Sequence, residues 1–168
     1  MLVHSEGEVL GVDIGGVIID KANDGTDTSF FGENFLATTQ VIEAFETLRD
    51  LVAQRFKQRV YLVSKCGAGV EHKTRQWMRH HSFHAFTGIA SERMRFCRRR
   101  EDKAGICKEL GVTHFIDDKL EVLSYLVDIV PHLYLFQGNP NEVRRYAHVL
   151  PRVIPVDGWG SIRHHLLG

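Results

Sequence analysis

The sequence has no run of about 18 consecutive apolar residues, so it offers no candidate transmembrane helix. Residues 1–10 have neither a basic head nor a long apolar stretch, and no signal peptide is expected there. Cysteine is scarce: Cys66, Cys97 and Cys107 form no CxxC pair. Three scattered cysteines predict free thiols in a reducing compartment and argue against a zinc site. We therefore expect a soluble, cytoplasmic protein without a membrane partner.

Net charge is also absent, because 21 basic residues balance 21 acidic ones. The whole molecule then has no field that would draw nucleic acid, membranes or acidic substrates from a distance. Internal repeats, low-complexity tracts and Pro/Gly-rich linkers are missing as well. With 168 residues, 43% of them hydrophobic, the chain is long enough to bury a core. We expect one domain over residues 1–168.

Apolar runs and amphipathic stretches alternate along the chain. Strands are predicted at 9–14, 59–63, either 86–89 or 94–97, 113–118, 132–136 and 152–156. Helices are predicted at 35–56, 67–80, 103–110, 120–127, 141–148 and 159–167, and the third of these should end at Gly111 in a left-handed cap. This alternation predicts the α/β class, with a doubly wound, mostly parallel, Rossmann-like sheet. Ligands in such folds bind at the carboxyl ends of the strands.

Polar side chains are predicted at that edge of the sheet. Asp13 and Ser64 follow the first two strands, Asp117 and Asp118 follow a later strand, and Lys103 opens a helix. Three carboxylates that converge repel one another unless a cation neutralises them, and an all-oxygen site with few protein ligands suits Mg²⁺. A hydroxyl and an ammonium beside the metal would complement a phosphate. The pattern predicts a magnesium and phosphate site.

In this order, the segments VLGVDIGGVIID, VYLVSKCG, Lys103 and THFIDDK resemble the four motifs of the haloacid dehalogenase-like superfamily, over about residues 9–136. The resemblance implies that Asp13 is a nucleophile that forms an aspartyl-phosphate. It implies that Ser64 and Lys103 hold the phosphoryl group. A carboxylate nucleophile splits hydrolysis into two easier steps, and lysine with magnesium neutralises charge on the phosphoryl oxygens.

The same resemblance implies a set of magnesium ligands. These are the carboxylates of Asp13, Asp117 and Asp118 and the backbone carbonyl of Gly15. Taken alone, Asp118 has a second interpretation as an ordinary helix N-cap, which is compatible with metal binding. Lys103 has Lys65 and Lys108 as competitors, and it is favoured because it opens the helix that leads into THFIDDK.

Gly15 is a departure from the superfamily pattern. Phosphatases of this superfamily usually have a second Asp there, as general acid and base, and losing such a group costs about 100- to 10,000-fold in rate. Asp20, Asp24 and Asp27 follow on the next segment and are potential substitutes, but no spacing rule selects among them. Some branches of the superfamily also lack this Asp.

The gaps between motifs are too short for the cap domains found in the superfamily. About twenty residues, 17–35, remain after the first motif, and the gap between the second and third motifs holds one helix and a strand. We therefore expect a capless domain with an open site. An open site favours bulky substrates, or a lid supplied by a second subunit of a homo-oligomer.

Three functions remain open at this point. The leading one is a magnesium-dependent phosphohydrolase that acts on a phosphorylated substrate. The second is a metal- and phosphate-binding regulatory domain with little turnover, because position 15 has no acid. The third is a nucleic-acid-end phosphatase that uses the basic run RMRFCRRREDK at 93–103 to contact phosphates. A solvated loop paired with its own acids is the favoured interpretation of that run.

Overall fold

The computed structural model describes residues 7–21 and 32–168. Within them lie six strands, β1 (Leu10–Val12), β2 (Val60–Lys65), β3 (Met94–Cys97), β4 (His114–Asp117), β5 (His132–Phe136) and β6 (Ile154–Val156). The helices are α1 (Ala44–Leu51), α2 (Ala68–His80), α3 (Phe83–Thr87), α4 (Asp102–Leu110), α5 (Leu120–Leu126), α6 (Pro140–Arg145) and α7 (Trp159–Leu167).

The strands form a single sheet in the order β3-β2-β1-β4-β5-β6, and every neighbouring pair is parallel. The predicted α/β class and Rossmann-like arrangement are confirmed. The first strand, β1, lies between the strand that ends near Ser64 and the strand that ends at Asp117. Chain connections leave β1 towards one edge of the sheet and β4 towards the other, so a crevice opens at the carboxyl ends of these two strands.

Helices cover both faces of the sheet. One apolar cluster packs Leu10 and Val12 of β1 against side chains of α1, α2, α3 and α7. The other cluster lies on the opposite face and includes Cys107 of α4 and Leu123 of α5. Both faces are buried because α1, α2 and α3 cover one face, α4, α5 and α6 cover the other, and α7 returns to the first, as in a doubly wound sheet.

A close contact between the two central strands, β1 and β4, requires a glycine at position 11 of β1. A Cβ atom on Gly11 would lie 2.5 Å from Cδ2 of Phe115, whose ring occupies the space beside β1. Phe115 is fully buried in the second apolar cluster. The aromatic ring can fill this position only because β1 has no side chain there.

The predicted helix at 35–56 is wrong in its first half. Residues Phe35–Ala37 form a 3₁₀ turn, and Gln40 pairs with Ile19 in an isolated antiparallel bridge before α1 begins at Ala44. Glu43 has a left-handed backbone with φ of 68°, which interrupts any helix that approaches from the N-terminal side. The periodic apolar residues that predicted one helix therefore belong partly to the 3₁₀ turn and bridge and partly to α1. The end of the predicted helix, Val52–Phe56, is a π-helical turn.

Two other boundaries also differ from prediction. Residues 86–89 were one option for the third strand, but Phe83–Thr87 is helical and the strand is Met94–Cys97. The helix predicted at 141–148 ends at Arg145 and continues as a 3₁₀ segment over Ala147–Arg152. Gly111 closes α4 with φ of 67°, as predicted.

No helix within the described ranges is both long and apolar enough to cross a bilayer.

Candidate active site

Three buried carboxylates meet at the carboxyl edge of the sheet. Asp13 follows β1 and donates its backbone N–H to the carbonyl of Ile116, so β4 fixes its position. Asp117 ends β4 and Asp118 follows it. One carboxylate oxygen from each of the three lies within 4.8 Å of the others, and their exposed fractions are 7%, 0% and 5%. The predicted convergence is confirmed.

Lys103 joins two of these carboxylates. Its Nζ lies 3.0 Å from Oδ1 of Asp13 and 2.8 Å from Oδ2 of Asp117, and the side chain is 3% exposed. Of the two competing lysines, Lys65 lies on the wall of the same cavity and Lys108 is an exposed residue of α4 outside it. The geometry therefore selects Lys103 as the lysine of the cluster.

Burial and mutual repulsion dominate the electrostatics. Burial raises the pKa of Asp13 well above its usual range, and the charge of Asp117 raises it further, although Lys103 opposes both effects. Burial also raises the pKa of Asp117. Burial by itself would lower the pKa of Lys103, but Asp117 and Asp13 outweigh it and raise that pKa. Lys103 is therefore an ammonium ion that offsets one of three nearby negative charges.

The sequence did not point to Lys21, which neutralises the third carboxylate. Nζ of Lys21 lies 2.5 Å from Oδ2 of Asp118, and the lysine side chain is 56% exposed while that of Asp118 is 5% exposed. Lys21 reaches this position from the segment after β1, on the far side of a turn. No motif marks this lysine, because its partner lies 97 residues away in the chain.

The turn after β1 brings backbone groups to the cluster. The N–H groups of Ile18 and Ile19 both donate to the carbonyl of Ile14, and Gly16 has φ of 80°. A Cβ at Gly16 would lie 2.6 Å from Oδ2 of Asp118, so the backbone approaches the carboxylate closely there. Nε1 of Trp159, in α7, donates to the carbonyl of Val17 at 2.7 Å. The last helix thus anchors this turn.

Gly15 differs sharply from its neighbour Gly16. It is exposed, and a Cβ built on it would have no atom within 4 Å. The residue lines the cavity at the predicted position beside Asp13. Space for a side chain is therefore present, although the residue itself supplies no acid.

The N-terminus of α5 is capped differently from the prediction. Asp118 makes no cap hydrogen bond there; Oδ1 of Asp117 accepts the N–H of Lys119 at 2.9 Å instead. The N–H of Leu120 donates to Oε1 of Glu142 at 2.8 Å, from α6. The Asp118 carboxylate instead forms its ion pair with Lys21. A buried glutamate from a distant helix therefore holds the Asp117-Asp118 segment in place.

Ser64 is buried at the end of β2 and lines the same cavity as the carboxylates. Its backbone carbonyl accepts a 3.7 Å hydrogen bond from Sγ of Cys97. Burial raises the pKa of the neighbouring Cys66 thiol, more than the hydrogen bond with the Ser64 side chain lowers it. Cys66 therefore stays protonated near neutral pH, which agrees with a structural role rather than a nucleophilic one.

The cavity above the cluster has a volume of about 470 Å³. This is within the usual range for small-molecule sites. Of the three aspartates considered as substitutes for an acid at position 15, Asp20 lies on the cavity wall. Asp24 and Asp27 lie outside the described residues.

The basic run at 93–103 is largely paired within the protein. Arg98 contacts Glu71 at 3.1 Å and Arg100 contacts Glu121 at 3.1 Å. Arg99 contacts Asp102 at 3.1 Å. Glu121 also accepts a hydrogen bond from the hydroxyl of Tyr146. These contacts agree with the loop interpretation, and binding of nucleic acid stays a prediction.

No protein-family model matches the chain, and no curated protein matches it by sequence. Several solved structures are similar to it. The D,D-heptose 1,7-bisphosphate phosphatase of B. bronchiseptica, crystallised with magnesium and phosphate, is 13% identical with a TM-score of 0.68, over 95% of this chain and 98% of that one. The same enzyme from Burkholderia thailandensis is 12% identical with a TM-score of 0.58, over 96% and 99% of the two chains.

The third structure is a haloacid dehalogenase-like hydrolase from Burkholderia xenovorans LB400, which is 13% identical with a TM-score of 0.55. The match covers 75% of this chain and 57% of that one, so the hydrolase is the larger molecule. At such low identities the similarity concerns the fold. The chain has the fold of the haloacid dehalogenase-like phosphatases.

Proposed function

We propose that the protein is a magnesium-dependent phosphohydrolase that acts through an aspartyl-phosphate at Asp13 on a phosphorylated substrate. The observation that carries the proposal is the buried cluster of Asp13, Asp117 and Asp118 with the Lys103 ammonium between two of its members. The fold shared with phosphatases supports the same reaction class.

The donor set fits magnesium. All three side chains offer carboxylate oxygens, the ligands that this hard cation prefers. Two lysines, Lys103 and Lys21, face the three carboxylates, which leaves one negative charge that a bound divalent cation would offset. Burial raises the pKa of Asp13 and Asp117, and a nearby cation would oppose that effect. Asp13, Asp117, Asp118 and the carbonyl of Gly15 would hold the ion. When bound, it would neutralise charge on the phosphoryl oxygens.

In the first step, a carboxylate oxygen of Asp13 attacks phosphorus while the bond from phosphorus to the ester oxygen breaks. The leaving alcohol takes up a proton, and the phosphoryl group is left on Asp13. In the second step, water attacks that phosphorus, loses a proton and releases inorganic phosphate, which restores the Asp13 carboxylate. Lys103 and the Ser64 hydroxyl hold the phosphoryl oxygens during both steps.

The source of the proton for the alcohol is the unusual part of this proposal. Gly15 has no side chain, so solvent or the Asp20 carboxyl on the cavity wall supplies the proton. Substrates with good leaving groups need this proton least. The lack of an acidic side chain at position 15 also favours the alternative function, a regulatory domain that binds metal and phosphate with little turnover.

The proposal includes a cytoplasmic, capless domain. Between β2 and β3 the chain forms α2, α3 and a 3₁₀ turn at Ser91–Arg93, and these elements pack beside the sheet. An open site would admit bulky phosphorylated substrates or take a lid from a second copy of the chain.

Phosphate release from p-nitrophenyl phosphate and a set of sugar phosphates tests the reaction. We expect turnover with Mg²⁺, none with a chelator, and none in Asp13→Asn, because an amide cannot act as the nucleophile. The matched control is Asp128→Asn, an exposed carboxyl outside the cavity. Mass spectrometry of acid-quenched protein should find one phosphoryl group on wild type and none on Asp13→Asn. Full activity in Asp13→Asn would refute the proposal, and metal binding without turnover would favour the regulatory domain.

A further inference from the structure

The wall of the cavity is basic outside the carboxylate cluster. Among the described residues that line it, Asp20 is the one acid beyond the cluster, whereas Lys21, Lys65, Arg100 and Lys119 are all basic. Lys21 is paired with Asp118. The reacting phosphoryl group is already provided for by Lys103 and the proposed metal. Lys65, Lys119 and the part of the Arg100 guanidinium that Glu121 does not bind therefore exceed what one phosphate needs.

Arg100 and Lys119 both line the cavity, and each is attached to the segment that begins α5. Glu121 binds one end of the Arg100 guanidinium at 3.1 Å, and the hydroxyl of Tyr146 in turn donates to Glu121. A guanidinium has five N–H donors, so this ion pair orients the group without exhausting it. The backbone N–H of Lys119 donates to Oδ1 of Asp117, which fixes the backbone from which the Lys119 side chain extends.

We propose that Arg100 and Lys119 form a second anion-binding subsite, and that the substrate is a small organic phosphate with another phosphate or a carboxylate on the end remote from the reacting phosphoryl group. The proposal rests on the proposed function. A cavity of about 470 Å³ is larger than one phosphoryl group and leaves room for the organic part between the two anions. The protein's zero net charge gives no long-range attraction, so this local charge selects the substrate.

Matched pairs of probes separate the possible second anions. Fructose 1,6-bisphosphate against fructose 6-phosphate tests a second phosphate, and 3-phosphoglycerate against glycerol 3-phosphate tests a carboxylate. Binding is measured by calorimetry on Asp13→Asn with Mg²⁺, so that it does not depend on turnover, and kcat/KM is measured on the protein with Asp13 intact. We expect the member with two anionic groups to be preferred in at least one pair, by about 10- to 100-fold in both measurements.

Arg100→Met and Lys119→Met, made separately, should each reduce that preference by about 10-fold or more. The control is Arg99→Met, since Arg99 is 70% exposed, pairs with Asp102 and lies outside the cavity. Arg100→Met removes the ion pair with Glu121 and could disturb α5. Lys119→Met tests the subsite without removing that ion pair.

Equal affinity for both members of both pairs would overturn the subsite, as would an equal loss of preference in Arg99→Met. Turnover without any preference would overturn the subsite and leave the proposed function intact. Preferential binding without turnover would support the subsite and refute the proposed function.

Discussion

Lys21 places its ammonium 2.5 Å from the carboxylate of Asp118, a residue 97 positions away in the chain. Two charges on the cluster are then already neutralised by lysines, one by Lys103 and one by Lys21. Lys103 is buried and Lys21 is more than half exposed, so only Lys21 can leave without exposing buried apolar surface. Any cation that uses Asp118 as a ligand must share this carboxylate with Lys21 or displace it.

Lys21→Met should therefore strengthen Mg²⁺ binding by about 2- to 5-fold, because an exposed ion pair contributes roughly 0.2–1 kcal/mol. Titration calorimetry with Mg²⁺ on wild type and variant gives the two dissociation constants. Lys65→Met is the control, since Lys65 lies on the same cavity wall and has no ion pair with the cluster among the described residues. Equal changes in both variants would mean that general charge, rather than the contact with Asp118, sets the affinity.

Gly15→Asp should restore a general acid, and the structure has room for it because a Cβ there meets no atom within 4 Å. We expect the rate with sugar phosphates to rise by about 100-fold, since a positioned acid typically contributes that much or more. The rate with p-nitrophenyl phosphate should change little, because its leaving group needs little protonation. Steady-state kinetics on both substrates give the comparison.

Gly67→Asp is the control for that experiment. Gly67 also lines the cavity and has open space around its Cα, so this change adds a carboxylate to the same wall at a different place. A similar gain from both variants, or equal gains on both substrates, would show that the missing acid is not the limitation. Asp20 would then be the better account of proton transfer.

Gly16→Ala should destabilise the protein by about 1–2 kcal/mol or more, because Gly16 has φ of 80° and a Cβ would crowd Asp118. Urea unfolding measures this loss. The neighbouring change Gly15→Ala adds the same methyl group in open space and should stay within about 0.5 kcal/mol of wild type. Similar losses in both variants would contradict the role assigned to the turn.

Glu142→Ala should cost about 1–3 kcal/mol in unfolding free energy, because the buried N–H of Leu120 loses its acceptor. Glu142→Gln retains an amide oxygen and should cost clearly less. The alanine variant should also bind Mg²⁺ more weakly, because Asp117 and Asp118 directly precede the first turn of α5, which Glu142 holds through Leu120. Equal stability of the two variants would show that the hydrogen bond to Leu120 contributes nothing.

The residues at strand ends were predictable from sequence, whereas their partners were not. Asp13, Ser64 and Asp117 each follow a short apolar run, and parallel strands must bring such positions to one edge. Lys103 is favoured over Lys65 because it opens the helix that leads into THFIDDK, and the structure places Lys103 between two of the carboxylates. No sequence motif identifies Lys21, because its ion pair with Asp118 depends on side-chain positions that the tertiary fold sets.

Local backbone conformation explains the errors in the secondary structure. The apolar spacing through Val41 and Phe45 has helical periodicity, yet Glu43 between them is left-handed and Val41 donates its N–H to Ile18. That hydrogen bond joins the segment to the turn after β1. A contact over more than twenty residues thus overrode the local periodicity, which a reading of neighbouring residues cannot detect.

The hydrogen bond from Trp159 to Val17 gives the order in which the site can be completed during synthesis. The turn that follows Asp13 is made early, but its anchor in α7 is made some 140 residues later. A nascent chain that stops short of Trp159 holds Asp13, Ser64, Lys103, Asp117 and Asp118 and still lacks the support of that turn. On the proposed function, we therefore expect activity to appear only when the last helix has left the ribosome and docked.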